Sequence, residues 1–217
     1  LCLHETSFSA FGESVPAFEK FLNEFPTSPY AEKVSSYLVE VYMNTRSYDA
    51  ALKSIDRIAK PSAQILEAKQ KILFQLGTQS FANADFEQAL KYLNQSIAIG
   101  QYNRQTKADA YYWCGESYYR LNRMVEAARD FNAYLQLTTQ PNNEMYALAN
   151  YNLGYIAFHR KDYTQASNYF QKYVQLEKGE NATALADAYN RIGDCHLHVR
   201  NFEEAKQYYS QAEQMNT

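Results

Sequence analysis

An all-α fold, a right-handed superhelical solenoid of antiparallel helix pairs, is the architecture this sequence predicts. Three observations carry the prediction. Glycine and proline are scarce, 7 and 5 among 217 residues, too few for the many tight turns of a sandwich or barrel. Aromatic side chains are plentiful, with 20 Tyr and 12 Phe. Five alanines, Ala51, Ala89, Ala127, Ala166 and Ala205, stand 38, 38, 39 and 39 residues apart, a regularity that marks an internal repeat.

Around those alanines the chain repeats one local grammar. An aromatic or apolar residue is followed three later by another and then directly by Gly. Twelve residues after the Gly comes the Ala, and four after that an aromatic or Leu. The clearest copy is Tyr111, Cys114, Gly115, Tyr118, Ala127, Phe131. Others are Leu153, Gly154, Ala157, Ala166, Phe170; Tyr189, Ile192, Gly193, Ala205, Tyr209; and Leu73, Leu76, Gly77, Ala89, Leu93. A fifth, Leu38, Val39, Tyr42, Ala51, Ile55, has Val in place of Gly. A mid-helix glycine costs about 0.5–1 kcal/mol against alanine. That cost makes sense where a partner helix approaches too closely for a side chain, with the alanines as matching small residues. Phe131, Phe170 and Tyr209 are then expected to fill space toward the following repeat.

The elements follow in order. Ala17 and Phe21 keep the Ala-to-aromatic spacing, so Pro16 to Phe25 reads as the second helix of a partial repeat over 1–27. Helix pairs are expected at 28–45 with 48–59, 62–82 with 86–99, 104–121 with 124–137, 143–160 with 163–177, and 182–199 with 202–214. The linkers are turn-like, as in Asn83-Ala84-Asp85 and Lys161-Asp162. Tyr48, Phe86, Met124, Tyr163 and Phe202 each stand three residues before a key Ala, as staples on a helix start. The whole is one solenoid domain over 1–217, with about five full repeats at roughly 28–60, 61–100, 102–139, 142–178 and 181–217.

These motifs resemble the tetratricopeptide repeat family, whose pattern runs W-x2-L-G-x2-Y, then A-x3-F, then P. The resemblance covers about residues 14–214. It departs from the family in lacking the first Trp, and in a period longer than the usual 34 by roughly one helical turn. The run Phe25-Pro26-Thr27-Ser28-Pro29-Tyr30-Ala31, preceded by Phe18, Phe21 and Leu22, is similar to bacterial envelope members of the family. Among these are the lipoprotein subunit of the outer-membrane β-barrel assembly machine and periplasmic coordinators of cell division. The compartment this implies is the bacterial periplasm or outer-membrane periphery.

The resemblance also implies that the first helix of each pair lines a concave inner face. The residues it places there as a peptide or partner site are Tyr112, Trp113, Glu116 and Tyr119, then Tyr151, Asn152, Tyr155, Phe158 and His159, then Arg191, Asp194 and His198. Asp109, Arg120, Leu148, Asp187, Asn190 and Leu197 fall on the same face. Aromatic rings give contact area at little entropic cost, and Asn, Glu and Arg supply directional hydrogen bonds. The plainer reading of any single tyrosine here is packing between neighbouring first helices. The Lys/Asn pair by which chaperone-binding members hold a C-terminal carboxylate is missing: Ser36 and Glu40, Phe74 and Thr78, and Tyr112 and Glu116 stand in those positions.

Other chemistry finds little support. Net charge is −3 and no Lys/Arg run supplies the basic face a nucleic acid needs. No stretch approaches the roughly 20 apolar residues of a membrane span. The chain opens Leu1-Cys2-Leu3 without an initiating Met, which reads as a processed fragment. Cys114 and Cys195 fall in helical patterns as small buried hydrophobes. In Cys195-His196-Leu197-His198, neighbours point about 100° apart and cannot converge on one ion; only Asp194 and His198 share a face. No cofactor, metal or catalytic motif is expected.

The functional expectation is therefore a non-enzymatic module that binds another protein or peptide, against the alternative of a spacer within a longer solenoid. Tyr208, Tyr209 and Ala212 keep the packing signature on the last helix without a polar cap after them. That end is expected to be covered by chain continuing past 217 or by a second copy, as a homodimer.

Overall fold

The computed structural model describes residues 8–216. The opening Leu1-Cys2-Leu3 lies outside the described residues, and the partial repeat is described only from residue 8. Secondary structure among the described residues is helical throughout: α1 (Phe8–Glu24), α2 (Ala31–Asn44), α3 (Tyr48–Asp56), α4 (Ala63–Ala82), α5 (Phe86–Ala98), α6 (Arg104–Arg120), α7 (Met124–Leu137), α8 (Glu144–His159), α9 (Tyr163–Leu176), α10 (Ala182–His198) and α11 (Phe202–Met215). A single 3₁₀ turn, Gly100–Tyr102, was not foreseen. It is fastened by Gln70, whose side-chain amide donates to the Asn103 carbonyl at 2.8 Å and accepts from the Asn103 N–H at 2.9 Å.

Two helix starts and one helix end differ by three residues or more from the sequence reading; the end is that of α3, at Asp56 and not 59. The first α-helix runs through Pro16 instead of starting there. A proline inside a helix forfeits one backbone hydrogen bond and crowds the carbonyl four residues back, which here belongs to Gly12. The second begins at Ala31, not 28, because Phe25–Tyr30 is a turn. Within it the Ser28 N–H donates to the Phe25 carbonyl at 3.1 Å and the Ala31 N–H to the Ser28 carbonyl at 3.0 Å.

Packing falls into two compact units, Leu1–Trp113 and Cys114–Thr217. In the first, α4 packs on α5 and α2, and α1 on α2. Its core gathers Val15, Leu22, Leu38, Tyr42, Ile55, Ile65 and Ile72. Arg57 clamps the buried Glu19 carboxylate with two hydrogen bonds of 2.9 and 2.8 Å, which fastens α1 to the α2–α3 hairpin as the second helix of a partial repeat. In the second unit α8 packs on α9 and α7, and α10 on α11 and α9, around Ala166, Phe170, Tyr173, Leu185 and Ile192.

The glycine and the aromatic of the repeat explain each other. A Cβ built on Gly115 would lie 2.7 Å from the Phe131 ring, on Gly154 2.8 Å from Phe170, on Gly193 2.7 Å from Tyr209, and on Gly77 2.5 Å from Leu93. The close approach is as expected; its nearest atoms belong to the aromatic or, at Gly77, to Leu93, with the Ala89 carbonyl 3.4 Å away. Each large side chain lies on the glycine of its own hairpin, and Phe170 also joins the core around Leu185 and Ile192 of the next repeat, as expected. Alanines 51, 89, 127, 166 and 205 are all buried.

Hairpins close through one recurring turn. Ala84, Asn122, Lys161 and Arg200 adopt left-handed φ of 59°, 59°, 63° and 63°. The following N–H reaches back five residues: Asp85 to Ser80, Arg123 to Tyr118, Asp162 to Ala157 and Asn201 to His196, at 2.8–3.0 Å. This satisfies carbonyls that a helix end leaves open. Asp85 and Asp162 then cap the next helix by accepting from the Gln88 and Gln165 N–H groups at 3.2 Å.

The exposed side of α11 corrects one expectation. Tyr209 lies over Gly193 and Ala212 is buried, so neither is a free apolar surface. Where α9 has Ser167 and Val174, α11 has exposed Lys206 and Glu213. The helix thus carries charged side chains along its middle, where α9 is small or apolar.

Candidate partner-binding face

In the second unit the first helices α8 and α10 bring together a chain of polar contacts. Tyr151 and Tyr155, one turn apart on α8, both donate their hydroxyls to Asp187 Oδ2 on α10, Tyr151 at 2.5 Å. One turn along α10, the Arg191 Nε lies 3.7 Å from Asp187 Oδ1, and its Nη1 is 2.9 Å from Asp194 Oδ2. Asp194 Oδ1 accepts the Tyr209 hydroxyl of α11 at 2.5 Å. The result is one run, Tyr151 and Tyr155 to Asp187 to Arg191 to Asp194 to Tyr209. Below it the Tyr155 ring stands edge-on to Phe170 at 5.1 Å, and the Tyr151 ring is 4.9 Å from Tyr173. Side-chain exposures of 33% for Asp187, 31% for Arg191 and 26% for Asp194 leave the run half open to solvent.

Burial, and then donation to a carboxylate, push the phenols up: Tyr155 and Tyr209 to about 12, and Tyr151 higher still. An unfolded tyrosine ionises near 10. As pH rises past that value the unfolded chain sheds these protons first, so the folded state binds more protons and stability falls with pH. The contribution is intact below about pH 10 and lost between about pH 10 and 12. We expect the urea midpoint to drop across that window and the drop to shrink in Tyr155→Phe with Tyr209→Phe. Phenolate absorbance following an ordinary exposed-tyrosine curve, with no parallel loss of helix, would contradict this.

The remaining predicted site residues divide into groups. Glu116 accepts from the Asn152 side-chain amide at 2.6 Å. Tyr119 is half-buried, and burial raises its phenol. Phe158 sits among His159, Tyr163 and His198, with ring centroids 6.3, 5.5 and 6.2 Å away. Tyr112 and Trp113 belong to the first unit, where Trp113 stands edge-on to Phe81 at 5.0 Å. Tyr112 is a correction: at 3% exposure its ring packs in the interior and presents nothing to a ligand. Two members of the network were not singled out from sequence. Asp187 was put on the inner face without a role, its only local signal being its place four residues before Arg191. Tyr209 was read as filler.

Asp194 and His198 each have other partners. Asp194 is taken by Arg191 and Tyr209, while the His198 ring lies flat on Tyr163 at 4.1 Å and 3°. Cys195 is buried and burial raises its thiol to about 11; Cys114 is fully buried and its thiol is raised further. Both are packing residues, as the sequence indicated. Among the described residues no three His, Cys, Asp or Glu side chains converge as metal ligands, and no helix is long and apolar enough to cross a membrane.

Family models described as tetratricopeptide repeat match residues 74–144 and 145–217. No curated protein matches the chain in sequence. Among solved structures it is similar to BtubC (BKLC) from P. vanneervenii, at 14% identity over 96% of this chain and 89% of that one, with a TM-score of 0.60. It is also similar to MamA from Desulfovibrio magneticus RS-1, at 15% identity over 85% and 94%, TM-score 0.55. A third is YrrB, described as a TPR protein with an unusual peptide-binding site, at 16% identity over 93% of each chain, TM-score 0.53. At such identities the likeness is one of fold.

Proposed function

The chain belongs to the tetratricopeptide repeat family, and on that premise we propose that it is a non-enzymatic protein-interaction module whose α8–α10 face takes a peptide or helix of a partner. The observation that carries this reading is the half-open run Tyr155, Asp187, Arg191 and Asp194, flanked by Asn152, Phe158 and His159. Its polar groups are held in place before any ligand arrives, so binding loses little side-chain entropy. Guanidinium and carboxylates at this exposure can still hydrogen-bond a peptide backbone, with Tyr155 and Phe158 offering ring surface beside them.

A spacer reading has one observation in its favour: the same network saturates itself, as mortar between adjacent hairpins would. A photoreactive phenylalanine placed at position 158, and another in place of the exposed Lys172 on α9, separates the two. The binding reading expects a discrete partner adduct in the source cells from position 158 and none from position 172. Adducts from neither position, or equally from both, would leave the spacer. The Phe25–Ala31 run supports placing the protein in the bacterial envelope, on its periplasmic side. Recovery of the native chain in the cytoplasmic fraction would refute that.

A further inference from the structure

The turn between α10 and α11 exposes three large apolar side chains: Leu197 at 47%, Val199 at 49% and Phe202 at 61%. Earlier hairpins show what meets the same two positions when they are covered. In the second unit Phe158 and Tyr163 stand where Leu197 and Phe202 do, with rings 5.5 Å apart. The imidazole of His198, from the following first helix, lies flat on Tyr163 at 4.1 Å. In the first unit the corresponding pair is Phe81 and Phe86, 5.2 Å apart, and the indole of Trp113 from the following first helix closes on Phe81 at 5.0 Å. Twice, then, an apolar pair at a hairpin turn receives a planar side chain from the next helix. At Leu197 and Phe202 the pair is present and, among the described residues, uncovered.

Charge narrows what would fit. Glu203 and Glu204 follow Phe202 in the first turn of α11, both exposed and, among the described residues, neither in an ion pair. Further along, Lys206 and Glu213 stand where α9 has Ser167 and Val174, so the middle of α11 is more charged than that of α9. We propose that the Leu197–Val199–Phe202 step docks a short segment of a partner protein that carries an aromatic ring flanked by Lys or Arg. The ring takes on Phe202 the place that His198 takes on Tyr163, and the cations face Glu203 and Glu204. This step shares α10 with the α8–α10 face but uses none of that face's polar run Tyr155, Asp187, Arg191 and Asp194.

The test is a titration of the ¹⁵N-labelled chain with two synthetic peptides of one length, one with a single Trp between paired lysines, the other with Ala for the Trp. The Trp peptide should give saturable shifts at residues 195–205, and the Ala peptide should bind at least about tenfold more weakly. Phe202→Ser, at a site 61% exposed and therefore expected to leave helical circular dichroism intact, should lose binding by a similar factor; Leu197→Ser serves as a second variant. Glu203→Gln with Glu204→Gln should weaken it severalfold and flatten its salt dependence. Unsaturable shifts, equal binding of both peptides, or full binding to Phe202→Ser would overturn the proposal. So would a dimer seen by light scattering that Phe202→Ser dissolves, since a second copy would then be the occupant.

Discussion

Phe170→Ala is expected to cost about 3–5 kcal/mol and Gly154→Ala about 1–3 kcal/mol, yet the two together should cost less than their sum. Phe170 is fully buried, so its removal opens a ring-sized cavity. Gly154 faces that ring, where an added Cβ would come within 2.8–2.9 Å of three ring carbons. Alanine improves intrinsic helix propensity by up to about 1 kcal/mol, but a ring enclosed on all sides cannot retreat by the several tenths of an ångström required. Once the ring is gone the new methyl occupies part of the vacated space, so clash and cavity offset each other. The coupling in urea denaturation should be about 1–3 kcal/mol. Strict additivity would mean that the glycine is dictated by something other than the ring. The same cycle on Gly115 and Phe131, one repeat earlier, should give the same sign.

This lock shows why so much of the fold was legible and where legibility stopped. The spacing of Gly154, Ala166 and Phe170 is local, and a local pattern repeated every 38–39 residues stands out from chance. The starts of α3, α5, α7, α9, α10 and α11 fall where the sequence put them. Tight three-residue turns and side chains such as Asp85 and Asp162, which stop one helix and cap the next, write themselves into adjacent residues. Direction is harder. Periodicity says that Phe170 is inside but not which neighbours it touches: the ring lies on Gly154 of its own hairpin and also joins the core around Leu185 and Ile192 of the following one. Tyr112 was misplaced for a related reason: a helix position that tends to face a groove is buried whenever rings such as Trp113 crowd it. Asp187 is the clearest loss. Its two tyrosine donors lie 36 and 32 residues earlier, on another helix, and nothing in the local sequence distinguishes it from a solvated acid.

Asp187→Ala should therefore cost far more than a half-exposed aspartate ordinarily does, about 2–4 kcal/mol, because two charge-assisted hydrogen bonds disappear together. Tyr151 and Tyr155 would be left as half-buried phenols without their acceptor, and Arg191 would keep only Asp194. Asp187→Asn retains an acceptor oxygen without the charge and should recover roughly half of the loss, since neutral acceptors contribute about half as much. Tyr151→Phe combined with Tyr155→Phe removes the donors instead, and adding Asp187→Ala to that pair should cost little more, because the partners are already gone. If Asp187→Ala alone shifts the denaturation midpoint no more than Glu203→Ala on the exposed turn of α11, the hydroxyls are being satisfied by water. The α8–α10 face would then not be held in place before a ligand arrives, and the entropic argument for binding there would lose its footing.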